Sequence, residues 1–423
     1  MRKTDEPDDL FSFGDVIDTS PKCLAAEAAK HFDPARLTQA RQLAGLTKRE
    51  LADQVGVSAA AIGQYETGTR PRPEVLMGIS AVLGYEVGFF RIGRPYARLD
   101  ASAAHFRSLR DTRAYQRAKA VSFTEQVWEL IYALERRIVL PYVNLPGFAA
   151  GEVTPGTNLP SDPVLAAKAL RHHWGLGAGP IPHLVRTLEI NGIVVVHAPK
   201  DGDLRKVDAF STSRLPRPFI VISRDRTKDV YRSRFTAAHE LGHLALHGDA
   251  LPGDPGHERD ADAFAAEFLT PRDSIVQELP TKANFTAFAD LQRTWGTSIS
   301  SLIFRCREVG LYSDTTTSRT YQRLHQLITD GAITLEPVDG FPGELPSLLR
   351  EAFNLAADGG LTLEELGSEL QWPRKRLSQL LGTEGDRPAL SLLRGDATGD
   401  GSESLGTNNS QRRRLTVVRG AEV

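Results

Sequence analysis

Between Arg234 and Phe268 the chain reads RFTAAHELGHLALHGDALPGDPGHERDADAFAAEF. Its first two histidines, His239 and His243, are four residues apart, so on a helix they share one face about one turn from each other. Two imidazoles placed this way can bind one metal ion. Glu240 beside them can lean over the site and take a proton from an attacking water. This short spelling also arises by chance, so the reading turns on a third ligand. Four acidic residues compete: Glu258, Asp260, Asp262 and Glu267. At about 100° per residue, Ala261, Phe264, Ala265, Phe268 and Leu269 fill one arc facing the core. Glu258 and Asp262 lie at its inner edge, while Asp260 and Glu267 fall almost opposite Glu258, towards solvent. A carboxylate reaches a buried metal only from the inward side, which favours Glu258 as the ligand. Asp262 is then placed to accept a hydrogen bond from the far nitrogen of a ligand histidine and fix its tautomer.

Three neighbours stay open. His247, one turn beyond His243, is a fourth ligand, a transition-state donor, or a residue that supports a ligand or caps the helix end. His257 is an alternative ligand beside Glu258. Tyr231 could donate to an oxyanion, although nothing in the sequence places it.

Such a site needs a scaffold, and the flanking sequence supplies one. GIVVVHA and FIVIS are continuous apolar runs of strand length, and Asp162–Trp174 and Pro182–Ile190 have helical spacing. FIVIS, at 219–223, is read as the strand along which a substrate peptide pairs by β-addition. GDALPGDPG is a loop long enough for the two metal-bearing helices to fold back on each other. More helices run to about residue 310. Towards the end, Pro346–Ala357 and Leu363–Leu381 are helical in rhythm.

A second constellation lies earlier. RLTQARQLAGLTKRELADQVGVSAAAIGQYETGTRPRPEVLMGISAVLG joins four or five short helices through tight turns. Thr47 with Glu50 is a capping box, Gly56 suits a turn, and Ala52 is small where two helices must approach. Val57 and Ile62 lock the pair into the core. The third helix is expected in a DNA major groove. Lys48, Arg49, Arg70 and Arg72 are candidate phosphate contacts, and Ser58, Ala59, Ala60, Ala61 and Gln64 would face base edges. Alanines touch a thymine methyl but make no hydrogen bonds, so one copy reads few bases and a homodimer on two half-sites is the natural partner of double-stranded DNA.

The 423 residues allow two or three domains. The expected layout is a flexible acidic segment over 1–31, the DNA reader over 32–98, and a helical connector and linker over 99–160, with helices at Ala101–Leu109 and Arg113–Val139. The metal domain follows over 161–312, then a helical region over 313–384 and a flexible tail over 385–423. The charged run FRSLRDTRAYQRAKA is read as a solvated helix face, and HHW at 172–174 as a helix end. No run approaches the roughly 20 apolar residues that cross a bilayer, and the start lacks the apolar core of a signal peptide. Two cysteines exclude a disulfide framework and suit a reducing cytoplasm. Net charge is −2, but residues 34–98 carry nine Lys and Arg against five Asp and Glu, which suits a nucleic acid partner locally.

RFTAAHELGHLALH followed by ERDADAFAAEFLTP resembles the ImmA/IrrE family of zinc metallopeptidases, over about residues 165–310. Glu258 and Ala261 match the family's ExxA spelling, Phe264–Ala266 its Phe-Ala-Ala continuation, and Thr270 stands where a hydrophobe is common. The resemblance implies His239, His243 and Glu258 as zinc ligands and Glu240 as base, with Mn²⁺ as the other candidate metal. Residues 34–85 are similar to the Cro/repressor-type helix-turn-helix of the XRE branch, with Lys48 where a glutamine is usual. The implied fold is α+β: an all-α helix-turn-helix domain, a zincin-like metallopeptidase domain of small sheet plus HExxH helix, and a helical C-terminal region. The implied function is a DNA-binding transcriptional regulator fused to a zinc-dependent endopeptidase that cleaves a repressor or antitoxin and so relieves repression. The alternatives are a DNA-binding regulator with a structural or sensory metal site, and an antitoxin-like partner of a toxin with a vestigial motif. Intact Glu240 speaks for the enzyme, since a structural site has no use for a base.

Overall fold

The structure, a computed structural model, describes residues 20–94, 99, 105–106, 114–149, 152–153, 159–199, 209–223, 225–248, 254–382 and 416–417. The chain divides into two compact units: residues 1–41, 46–94 and 371–373, and residues 42–45, 95–370 and 374–423.

The smaller unit is helical: α1 (Pro21–Lys30), α2 (Pro34–Ala44), α3 (Lys48–Val55), α4 (Ala59–Glu66) and α5 (Pro73–Leu83). α1 corrects the expectation of a flexible segment through residue 31. Ser20 caps its first turn, Pro21 sits at the first helical position, and Ala25, Ala28 and Ala29 bury a small-residue face against α5. The capping box forms at α3, where Thr47 Oγ1 accepts from the Glu50 N–H at 3.1 Å and the Glu50 carboxylate accepts from the Thr47 N–H at 2.7 Å. Gly56 ends the helix at φ 80°, a left-handed conformation that costs glycine little. Leu51, Ala52, Ile62, Leu76 and Ile79 are fully buried.

The larger unit joins α6 (Ala114–Glu135), α7 (Pro163–His173) and α8 (Leu184–Ile190) to a mixed sheet. β1 (His105–Phe106), β5 (Val194–His197), β6 (Ala209–Thr212) and β7 (Phe219–Ile222) lie in the order β1-β6-β7-β5. β2 (Ile138–Val139) with β8 (Thr416–Val417), and β3 (Phe148–Ala149) with β4 (Glu152–Val153), form two small pairs. β5 runs parallel to β7, Val194 opposite Phe219, and β6 runs antiparallel to it, Ala209 opposite Ile222. β7 is therefore a central strand with both edges paired. This corrects the reading of FIVIS as a substrate-pairing edge, and the reason is physical: a continuous apolar run marks a strand buried on all sides. A helix was expected over 101–109, but His105 and Phe106 form β1 against Ser211 and Phe210 of β6. The rest of that stretch lies outside the described residues, as do the GDALPGDPG loop's centre and the tail apart from β8.

α9 (Val230–Leu246) and α10 (Pro255–Leu269) pack on each other, and α10 also packs on α7. Val195, Ile220, Ile222, Ala237, Leu241, Phe264 and Phe268 share one core. α11 (Arg272–Ile275), α12 (Phe285–Trp295), α13 (Ile299–Glu308) and α14 (Asp314–Thr329) build a second around Phe288, Trp295, Leu302 and Leu324. α15 (Leu348–Asp358), α16 (Leu363–Leu370) and α17 (Arg374–Leu381) follow, with α15 and α16 packed on α6. Gln116 and Lys119 of α6 are buried, so the charged run is no solvated face there. Two buried carboxylates fasten these last helices. Glu344 accepts from the Leu184 and Val185 N–H groups at the start of α8, and Glu189 accepts from Ser347 and Leu348 N–H at the start of α15. Burial raises Glu189 to about 7 despite those bonds. The overall class is α+β.

Candidate metal centre

α9 is cut to one side of the core by its own sequence. Asp229 caps it, accepting from the Tyr231 N–H, and thirteen of its seventeen residues are buried, including His239, Glu240 and His243. Gly242, inside the motif, sets the approach of α10. A Cβ there would stand 3.1 Å from the Phe264 ring and 3.2 Å from the Ala261 backbone. A side chain there would need α10 to give by a few tenths of an ångström.

With α10 held that close, His239, His243 and Glu258 each turn one ligating atom to a common point, all within 4.8 Å of one another. His239 Nε2 lies 3.4 Å from one Glu258 oxygen and His243 Nε2 lies 3.5 Å from the other. The two Nε2 atoms are 3.1 Å apart. Burial works to raise the Glu258 carboxyl, but the hydrogen bonds and charge of the two histidines outweigh it and bring it down to about 2. One carboxylate and two imidazole nitrogens meeting at a point are a donor set that suits zinc.

The tautomers fit the same purpose. His239 Nδ1 is 2.7 Å from Asp262 Oδ1, so the proton belongs on Nδ1 and the Nε2 lone pair faces the centre. His243 Nδ1 lies 3.2 Å from His247 Nδ1, and His247 Nε2 lies 3.7 Å from Asp260 Oδ2. A proton on His243 Nδ1 and another on His247 Nε2 satisfy this relay and free His243 Nε2 as well. His247 is the C-cap of α9, its N–H bonding the His243 carbonyl. The His257 ring stacks on His247 at 4.2 Å, outside the ligand cluster. Tyr231 donates to Glu336 at 3.2 Å, and burial followed by Glu336's charge raises it to about 12. That bond holds the Tyr231 hydroxyl on Glu336.

Glu240 is fully buried beside this centre, and Ser211 Oγ of β6 donates to its Oε2 at 2.8 Å. Sequence reasoning missed Ser211. AFST is short and half polar, and a partner 29 residues away leaves no local spacing to read. It also misplaced Glu267, expected in solvent. The residue is buried, with Arg305 Nη2 of α13 at 2.7 Å and the Arg272 N–H at 3.2 Å. A single inward arc was the wrong premise, because α10 is packed on more than one side.

The DNA-reading candidates sit differently. Ser58, Ala59, Ala60, Gln64, Arg49, Arg70 and Arg72 are exposed and Ala61 is half-buried. Ser58 Oγ caps α4 by accepting from the Ala61 N–H. Lys48 Nζ lies 3.1 Å from Glu66, which also holds Arg41 at 2.6 Å.

The arrangement defines a class: a small helical DNA-binding-type unit joined to a metallopeptidase-type domain. Comparison with protein families gives the particulars. Residues 37–90 match the helix-turn-helix family model, and residues 188–307 match the M78 peptidase model, described as the IrrE N-terminal-like domain. The chain thus fuses a helix-turn-helix domain to a metallopeptidase-family domain, in that order. None of the curated proteins compared with it matched. No helix among the described residues is long and apolar enough to cross a membrane.

Proposed function

We propose that the protein is a zinc-dependent endopeptidase carried on a DNA-binding regulator, and that it cleaves a repressor or antitoxin protein in the cytoplasm to relieve repression. The observation that carries this reading is the convergence of His239, His243 and Glu258 on one point with Glu240 buried beside them. Zinc bound there, or Mn²⁺ in its place, supplies a Lewis acid that activates water and polarises the scissile carbonyl. Glu240 accepts the proton of the attacking water and delivers it to the leaving amine nitrogen. Ser211 holds the Glu240 carboxylate in place for both transfers, and Asp262 and His247 keep the ligand histidines in the tautomer that presents Nε2. A closed structural zinc site takes four protein ligands; among the described residues three converge, and His247 turns its Nδ1 to His243 instead. Arg49, Arg70, Arg72 and Lys48 meet phosphates, Ser58–Ala61 and Gln64 face bases, and a homodimer sets two such faces on two half-sites.

Elemental analysis of the wild type, Glu258→Ala and Glu240→Gln, beside cleavage of candidate repressor and antitoxin proteins, tests this. Near-stoichiometric zinc is expected in the wild type and Glu240→Gln and its loss in Glu258→Ala, with cleavage down by about 10²–10⁴-fold in Glu240→Gln. Cleavage retained in Glu240→Gln would refute its role.

A further inference from the structure

α9 and α10, which carry the metal cluster, pack along each other. Phe235 and His239 lie one turn apart on α9, as Asp262 and Ala266 do on α10, a step of about 6 Å along each helix. At the level of His239 and Asp262 the two faces are joined by the 2.7 Å hydrogen bond. One turn further, Phe235 and Ala266 open into a cavity of about 260 Å³, which Asp262 borders and which Phe304, Arg305 and Tyr321 help to wall.

The size narrows the occupant. An apolar hollow of about 150 Å³ holds a benzene ring, and pockets for drug-sized ligands begin near roughly 300 Å³. A cavity of this volume has room for one large side chain. Its chemistry narrows the occupant further. Arg305 is committed to Glu267 at 2.7 Å, Glu308 at 2.6 Å and the Thr270 carbonyl at 2.7 Å. The Tyr321 hydroxyl donates to the Ser300 carbonyl at 3.1 Å. Thr270, Thr297, Ser300 and Ser301 complete the wall, with Thr270 Oγ1 bonded to the Ala266 carbonyl and Ser301 Oγ to Ser298 Oγ. The apolar surface is that of the Phe235 and Phe304 rings and the Ala266 methyl, and Phe304 is 48% exposed. The Asp262 carboxylate, with half its side chain exposed, stands at the border and repels an acidic guest.

We propose that this cavity receives a large apolar side chain, of the phenylalanine or leucine type, from the substrate protein beside the scissile bond. The assignment rests on the peptidase reading above and adds the residue preference that reading leaves open. Phe235, Ala266 and Phe304 determine that preference, and Asp262 serves twice, holding His239 and excluding acidic side chains.

The test uses zinc-loaded full-length protein and N-acetyl-phenylalaninamide, observed by saturation-transfer NMR. Transfer is expected to the wild type and to Glu240→Gln, to be weakened several-fold in Phe304→Ala, and to be lost in Ala266→Trp, whose indole fills the cavity. N-acetyl-glutamate amide should give none. Zinc content and thermal midpoint check that each variant is folded, and Phe304→Ala, at an exposed ring, covers the case in which Ala266→Trp fails to fold. A wild type that gives no transfer, or variants that bind the probe as the wild type does, would overturn the proposal. Peptide-library cleavage separates this from the reading beneath it. Cuts beside Phe or Leu that shift to small residues in Ala266→Trp support both, and an unchanged preference overturns the cavity's role. Probe binding without cleavage of any peptide counts against the peptidase reading alone.

Discussion

The candidate metal centre and the candidate DNA-reading face are built by opposite means. Around the candidate metal centre His239 and Glu240 are buried and each is held by a side chain from another element, His239 by Asp262 and Glu240 by Ser211, and α10 itself is tied to α13 by the buried Glu267–Arg305 pair. On the helix-turn-helix unit most of the candidate contact residues are exposed, and the backbone that carries them is set by local caps: the Thr47–Glu50 capping box, the Ser58 cap and the left-handed Gly56. The difference follows from the proposed tasks. Hydrolysis needs a few groups fixed within fractions of an ångström, which calls for supporting contacts. Phosphate contacts need charge delivered to a surface, and long flexible side chains on a rigid frame are enough. The comparison makes a sharp claim: support residues matter at the first site, while at the second each residue acts largely alone.

The strongest way to break that claim is Glu267→Ala. The carboxylate and Arg305 are both almost fully buried, so its removal leaves a buried cation with less compensation and should cost about 3–5 kcal/mol, read as a lower midpoint in urea unfolding. A loss near zero would show that α10 is not anchored through this pair. A smaller effect is expected from Asp262→Asn, which keeps the shape but offers His239 a weaker acceptor. Zinc affinity should fall by about 10–100-fold in chelator competition, with the fold intact. Unchanged affinity would mean that the tautomer of His239 is set elsewhere.

A third test concerns pH. Glu189 is raised to about 7 by burial, so the folded chain holds a proton that the unfolded chain releases near the ordinary value of 4.5. The folded state binds more protons between those values, and stability therefore falls as pH rises from 4.5 to 7. Glu189→Gln should remove that part of the slope in unfolding midpoints measured across the range. An identical slope would assign it to other groups.

These expectations also mark how far the sequence could be read. His239, Glu240 and His243 were legible because their geometry is local to one helix, and Glu258 because its neighbours fix an inward arc. Glu267 failed by the same arc, since partners on α7 and α13 lie beyond any helical wheel. Ser211 was out of reach for the same reason, its partner being set by sheet topology. β6 went unread because a four-residue, half-polar strand has no periodicity to detect. α1 was missed because its apolar face is made only of alanines, although Ser20 and Pro21 mark its start. In the reader the turns were legible, the caps and Gly56 being local chemistry. The pairing of Lys48 with Glu66 was not, as it joins two helices across a fold.

The smallest effects belong to the reader and test its independence. Arg72→Ala removes one exposed cation; if it meets a phosphate, binding to duplex DNA should weaken alike on all sequences, with the salt slope reduced by about one unit. Thr47→Ala removes a cap worth about 0.5–2 kcal/mol and should lower the unfolding midpoint of the helix-turn-helix unit. Neither change touches α9 or α10, so zinc content should stay at the wild-type level in both. Zinc lost from either variant would mean that the two regions are coupled, and the contrast between a supported site and a free-standing face would fail.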